Sequence, residues 1–290
     1  MRDRLVVGRG AAVGAVGFLA FGPSIVKEVE MPAMAFIFWR IILGALLYAV
    51  VLVLVGNRLS WADLKRSFVG GLVFAVNLVF FILCMRRTSA VNAVVITSLQ
   101  PVLLLVVGYR LFGERPHRSV YIAATVAFGG VVVTMAGAGT GGVATWSGDL
   151  MAVVCMVLFA IYYVVSKKAR SEMDSTTYQL ALTVVSAVVL LPVALLAEGG
   201  LALPVGRDWG LVGAMAVLPG TGHLLTNFAH GSVTLTQMSL ISLLYTALGP
   251  LYAWWLIDER IAGQQGFGIL LVLAALAFVV TRPVEVVTRS

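Results

Sequence analysis

The sequence predicts an all-α integral membrane protein: ten transmembrane helices built as two inverted five-helix repeats, with both termini cytoplasmic. Three observations carry this expectation. Apolar residues make up 60% of the 290 positions and charged residues only 11%, against roughly half and a quarter in ordinary soluble domains. The charges gather at intervals, leaving apolar runs of roughly 17 to 24 residues, long enough as helix to cross about 30 Å of hydrocarbon. Finally, the chain matches itself at an offset of 145 residues, which lays Gly113-Glu114-Arg115 on Asp258-Glu259-Arg260 and Ser98-Leu99-Gln100-Pro101 on Leu243-Leu244-Tyr245-Thr246.

In chain order the expected spans are 10–26, 33–55, 67–85, 91–112 and 120–138, then 149–166, 178–196, 210–228, 234–257 and 263–281. The first follows a basic N-terminus, as a signal peptide would. No small-residue cleavage site precedes a hydrophilic mature domain, so it reads as an uncleaved span. The second opens after Pro32 and contains Arg40, while the third lies between the basic pairs Lys65-Arg66 and Arg86-Arg87. The fourth carries Pro101 and closes on the Gly113-Glu114-Arg115 turn, and the fifth is glycine-rich at Gly129-Gly130. The stretch GAGTGGVATWSG is the most linker-like in the chain. It divides a repeat over 1–138 from one over 149–290, with 139–148 as an extracytoplasmic linker. The second repeat carries His223 in its third span and Pro250 in its fourth. Because each repeat has an odd number of spans, the second must enter the membrane upside down.

With the N-terminus inside, 14 Lys and Arg residues fall in cytoplasmic loops and tails and five outside, the asymmetry that sets orientation in a bacterial-type inner membrane. Short basic clusters at span ends are not the basic stripe of a nucleic-acid binder. Cys84 and Cys155 lie inside apolar runs with no metal or disulfide spacing. The three histidines supply no metal motif, and no nucleophile, base or metal set clusters as an enzyme requires. The expected partners are a small-molecule substrate and the lipid bilayer, with no cofactor and no nucleic acid; the oligomeric state is left open, and a monomer is compatible with it.

The run TSLQPVLLLVVGYRLFGER, the glycine-rich VAFGGVVVTMAG that follows, and AFGPSIVK and FWRIILGALLYAV near the start together resemble the EamA family of the drug/metabolite transporter superfamily. Within it, the chain is most similar to the YddG-type amino-acid exporters. The resemblance implies a secondary transporter and, as cargo, amino acids including aromatic ones. The sequence departs from the pattern at Thr246, which stands where the first copy has Pro101, with Pro250 a turn later. Pro101 and Pro250 are the expected hinges.

Candidate site residues come from polar groups that hydrocarbon would not tolerate. No Asp or Glu falls deep in a span, so the intramembrane carboxylate common in proton-driven carriers is missing. His223 is the one intramembrane histidine, either a proton carrier or a helix contact. Arg40 stands roughly 11 Å into the second span at about 1.5 Å per residue; it either holds a substrate carboxylate or ties neighbouring helix ends. The offset pairs Asn77 with Gly222 beside His223. Thr97 and Gln100 share one face of span four, and Ser239, Ser242 and Tyr245 share one face of span nine. These two stripes are expected to oppose each other, either as a site or as interhelical hydrogen bonds. Trp39, Phe81, Tyr162, Tyr163 and Tyr245 could wall a substrate body, whereas Trp61, Trp146 and Trp209 are placed as interface anchors. The substrate-binding set is thus Trp39, Arg40, Asn77, Phe81, Thr97, Gln100, Tyr163, His223, Ser242 and Tyr245.

The expected function is export of small metabolites by alternating access at a midplane cavity, uncoupled or weakly coupled to protons. An exporter of lipophilic cations is the nearest rival and calls for a buried carboxylate; a channel-like facilitator is the other. A reporter fused to the C-terminus should give a cytoplasmic signal, and an extracytoplasmic one would overturn the orientation.

Overall fold

A computed structural model describes residues 2–87, 96–137, 145–197, 200–257, 261–281 and 284–286. Among the described residues are twelve helices: α1 (Arg2–Leu19), α2 (Gly22–Lys27), α3 (Ala33–Leu54), α4 (Trp61–Arg87), α5 (Gln100–Phe112), α6 (Arg118–Gly137), α7 (Trp146–Ala169), α8 (Ser175–Leu196), α9 (Arg207–His230), α10 (Leu235–Ile241), α11 (Leu244–Ile257) and α12 (Gly263–Thr281). Because α2 continues α1 and α11 continues α10, they form ten rods. Seven segments are long and apolar enough to cross a membrane, from Asp3–Val26 to Leu235–Leu256. Helices α5 and α12 are apolar but shorter within the described residues. Helix α9 has the length, yet Pro219, His223 and Asn227 make it more polar. This is a helical membrane protein.

Two differences from expectation bear on the fold. Helix α7 starts at Trp146, inside the expected linker, because the Thr145 hydroxyl accepts from Gly148 N at 3.1 Å and caps the helix. The fold is also not purely α: strand β1 (Glu114–Pro116) pairs antiparallel with β2 (Val284–Val286), Arg115 opposite Glu285. The Asp258-Glu259-Arg260 turn and residues 91–95 of the fourth span lie outside the described residues.

Helices from before and after residues 138–144 interleave rather than form two bodies. The α1–α9 packing is the counterpart of α7–α4 under the 145-residue shift, while α6–α12 and α3–α8 map onto themselves. Such close packing needs small residues, since lipid gives helices no hydrophobic drive to associate. On α6, Gly130 faces α12 so tightly that a Cβ there would sit 2.9 Å from the Gly268 carbonyl; one on Gly268 would clash with Thr134 N. Gly222 of α9 lies against the Ala15 carbonyl of α1. Gly10 of α1 and Gly129 of α6 face open space instead.

One end of the bundle is held by charge. Glu114, 1% exposed, accepts from the backbone N–H groups of Leu235 (2.6 Å) and Thr236 (2.8 Å), the free donors at the start of α10. From α7, Lys167 donates to the carbonyls of His230 (3.1 Å) and Val233, and Arg170 to that of Asn227 (2.8 Å). Cations thus meet the α9 C-terminus and an anion the α10 N-terminus, as the helix dipoles favour. Next door, partial burial opposes charge on Asp174, but hydrogen bonds from Thr177 and Thr176, with Arg170 nearby, outweigh it and hold its carboxyl below the usual carboxylate range. A Cβ on Gly8 would touch Ser232, so the start of α1 shares this end with the β1–β2 ribbon. The opposite end carries the exposed Arg207–Glu28 ion pair.

Two stability predictions follow from these contacts. Gly268→Val should lower stability by about 1–3 kcal/mol through overpacking and visibly reduce the melting temperature in detergent, whereas Gly129→Val should not. Glu114→Ala strips two charge-assisted hydrogen bonds and should cost about 2–4 kcal/mol, against under about 0.5 kcal/mol for the exposed Glu172→Ala at the same end. Equal melting temperatures within either pair would contradict the corresponding packing account.

Candidate functional site

Rod four loses regular α geometry near the start of its described residues, and rod nine does so partway along. In the first, Leu99 N bonds to Ile96 O at 3.1 Å and Val102 N to Leu99 O at 3.0 Å. In the second, Leu243 N bonds to Leu240 O, Tyr245 N to Ser242 O and Thr246 N to Leu243 O, each at 3.0 Å. These are 3₁₀ bonds, which in mid-helix commonly mark a hinge. They occupy Ser98–Leu99 and Ser242–Leu243, one residue from equivalence under the 145-residue shift. The expected hinge prolines sit beside them. Pro101 lies in the first turn of α5, where a missing N–H costs no hydrogen bond. Pro250 lies inside α11 and deprives the Thr246 carbonyl of its i+4 donor.

Both turns open on one cavity of about 180 Å³ at the centre of the bundle. For scale, an engineered apolar cavity of about 150 Å³ accepts benzene. Nine of the ten residues picked out from the sequence line it. Thr97 and Gln100 come from rod four and Ser242 and Tyr245 from rod nine; Asn77 and Phe81 come from α4, Arg40 from α3, Tyr163 from α7 and His223 from α9. The two stripes therefore meet, and Ser98 Oγ stands 3.5 Å from Thr246 Oγ1 across the boundary between the halves. The tenth residue, Trp39, does not line the cavity. Its indole N–H donates to the Ala202 carbonyl at 2.9 Å and its ring packs on Phe38 and Trp209. Tyr162 is also off the wall, packed against Phe74 and Phe159 with its hydroxyl accepting from Asn227 Nδ2 at 3.1 Å.

Charge in this interior is sparse. Among the described residues, Arg40 is the one buried Lys or Arg and Glu114 the one buried acid. Arg40 is 7% exposed and faces both the cavity and a void of about 10 Å³ shared with Tyr48, Gln179 and His223. Among the described residues, no carboxylate lines either space. Glu114 is engaged at the end of α10, far along the chain from any lining residue of α5. Two further buried donors or acceptors on the wall, Gln100 Nε2 and His223 Nδ1, have no hydrogen-bond partner. Buried polar groups left unpaired are costly in a low-dielectric interior, and both of these atoms belong to residues on the cavity wall, as does Arg40. The remainder of the wall is aromatic and apolar, with Phe81, Phe159, Tyr163 and Tyr245.

Several wall residues escaped the sequence reading. Cys155 and Phe159 precede Tyr163 at four-residue spacing on one face of α7, so the signal was present once Tyr163 was chosen. Ser98 and Thr246 sat inside the repeat match as its two ends. Glu114 gave no such signal, because its burial depends on α10 reaching across from the other half.

Comparison with known proteins places this geometry. The model of the EamA-like transporter family matches twice, over residues 7–136 and 146–281. A pseudopaline exporter of Pseudomonas aeruginosa, found in two strains, is 23% identical over 264 residues, covering 88% of this chain and 89% of that protein. A protein of known crystal structure superposes with a TM-score of 0.79 at 20% identity, over 97% of both chains; at that identity the likeness speaks for the fold alone. None of these singles out the YddG-type subgroup. With both halves matched, the chain belongs to the EamA-like transporter family, a family of transporters and not of enzymes.

Proposed function

We propose that this protein exports small zwitterionic metabolites, amino acids with aromatic ones among them, by alternating access around the central cavity. The observation that carries this reading is the buried Arg40 guanidinium, without an acidic partner, on the wall of an aromatic-lined cavity that has no carboxylate. A guanidinium binds a carboxylate through two parallel hydrogen bonds, and an aromatic wall suits an apolar side chain. The curated relative is itself an exporter, which favours outward movement. A lipophilic cation would find Arg40 repulsive and no counter-charge, so the multidrug alternative has no support on the wall.

Movement is carried by the paired 3₁₀ turns, whose flanking segments change tilt without breaking a regular helix elsewhere. The end held by Glu114, Lys167 and Arg170 is the cytoplasmic one in this reading. The start of α1, the β1–β2 ribbon and the basic residues Arg4, Arg110 and Arg118 all belong to it, as expected of a multi-pass protein of a bacterial-type inner membrane. Its charge contacts bridge α7, α9 and α10 with the turn after α5 and must part for the cavity to open inward. With no carboxylate on the wall, transport is downhill and needs no proton.

Purified protein in liposomes, given labelled amino acids and lipophilic cations with and without a pH gradient, tests both cargo and coupling. Saturable, counterflow-competent flux of aromatic amino acids, at a rate that a pH gradient changes less than about twofold, is the expected result. Flux of cations alone, or net uptake driven by the pH gradient alone, would overturn it.

A further inference from the structure

The orientation of two side chains on the cavity wall carries a more specific statement about the cargo, resting on the reading of the cavity as the substrate site. Asn77 Nδ2 stands 2.9 Å from the Cys155 carbonyl and 3.4 Å from its Sγ. A backbone carbonyl only accepts, so the amide nitrogen must face Cys155 and Oδ1 must turn the other way. No donor among the described residues reaches Oδ1, and Asn77 lines the cavity. Ser242, on the same wall, uses its hydroxyl hydrogen on the Ser239 carbonyl. What remains of Ser242 toward a ligand is lone pairs. Two side chains, one from each half of the chain, are thereby committed as acceptors by bonds to their own scaffold.

Among the donors Arg40 is committed by its chemistry, while Gln100, whose amide no described bond orients, can turn its NH2 to a ligand. Arg40 has no acceptor chemistry at all, and Gln100 Nε2 has no partner. The wall therefore carries an acceptor pair and a donor pair around an aromatic chamber. An ammonium group has three donors and no acceptor, and a carboxylate has acceptors and no donor; a ligand bearing both satisfies the two pairs, and a ligand bearing one leaves the other pair buried and unpaired. Such mismatches are what polar sites reject most strongly.

We infer that Asn77 is a specificity-determining residue that receives the ammonium group of the substrate, held in register by Cys155, so that the cavity selects α-amino acids as zwitterions over the corresponding acids or amines. Cys155 acts through Asn77 and is a positioning residue.

The test is equilibrium binding of labelled phenylalanine to the purified full chain, in competition with 3-phenylpropionate, which lacks the amine, and phenethylamine, which lacks the carboxylate. Wild type should prefer phenylalanine to either by at least tenfold. Asn77→Leu should bring the preference over 3-phenylpropionate to within about threefold while the melting temperature stays close to wild type, because the Cys155 carbonyl keeps its helical donor. Asn77→Asp supplies a charged acceptor and should bring phenethylamine to within about threefold of phenylalanine; this variant decides the matter if Asn77→Leu fails to fold. Unchanged preferences in a folded variant overturn the role of Asn77 and leave the amino-acid reading of the cavity standing. Failure of wild type to bind phenylalanine or any other amino acid removes both.

Discussion

In hydrocarbon, every backbone N–H and C=O must find its partner inside the protein, so a helix can depart from regular geometry only where protein or a wet cavity surrounds it. The 3₁₀ turns at Ser98–Leu99 and Ser242–Leu243 are such departures, and they meet at the same cavity. Around them, apart from the α1–α2 break at Ala20–Phe21, the described helices are mostly regular and tightly packed. The α6–α12 crossing at Gly130 and Gly268 brings backbone onto backbone, and the interleaved packing of the halves fixes both turns relative to one another. The architecture thus concentrates its irregularity at one place and makes that place polar.

Charge follows the same economy. Two buried ionisable groups of opposite sign occupy different environments: Glu114 is satisfied by the α10 N-terminus, whereas Arg40 is offered to the cavity. Neutralising Arg40 with a resident acid would make a buried pair of doubtful benefit to stability and would remove its use to a ligand. In the proposed cycle a substrate carboxylate supplies that counter-charge transiently, and the contacts at Glu114, Lys167 and Arg170 hold the far end closed meanwhile.

The ten rods were legible because spans are set by length and hydropathy alone, and the repeat because Gly113-Glu114-Arg115 and the Pro101 region recur at a fixed interval. The polar wall was legible for a related reason: Arg40, Asn77, Gln100 and His223 stand out against apolar neighbours. Trp39 shows the limit of that logic, since an aromatic residue next to Arg40 in sequence points about a hundred degrees away on the helix and anchors to Ala202 instead. The β1–β2 ribbon and the burial of Glu114 were not legible, because both depend on segments over a hundred residues apart meeting at one end of the bundle. Pro101 and Pro250, the expected hinges, stand within a few residues of the 3₁₀ turns at Ser98–Leu99 and Ser242–Leu243.

The central claim is that the buried Arg40 guanidinium on the cavity wall holds the substrate carboxylate. The affinity of purified wild type, Arg40→Lys and Arg40→Gln for labelled phenylalanine tests it most directly, with melting temperatures taken alongside. At least a tenfold loss in Arg40→Gln, with a smaller loss in Arg40→Lys, is the predicted result. Undiminished binding by a folded Arg40→Gln protein would contradict it.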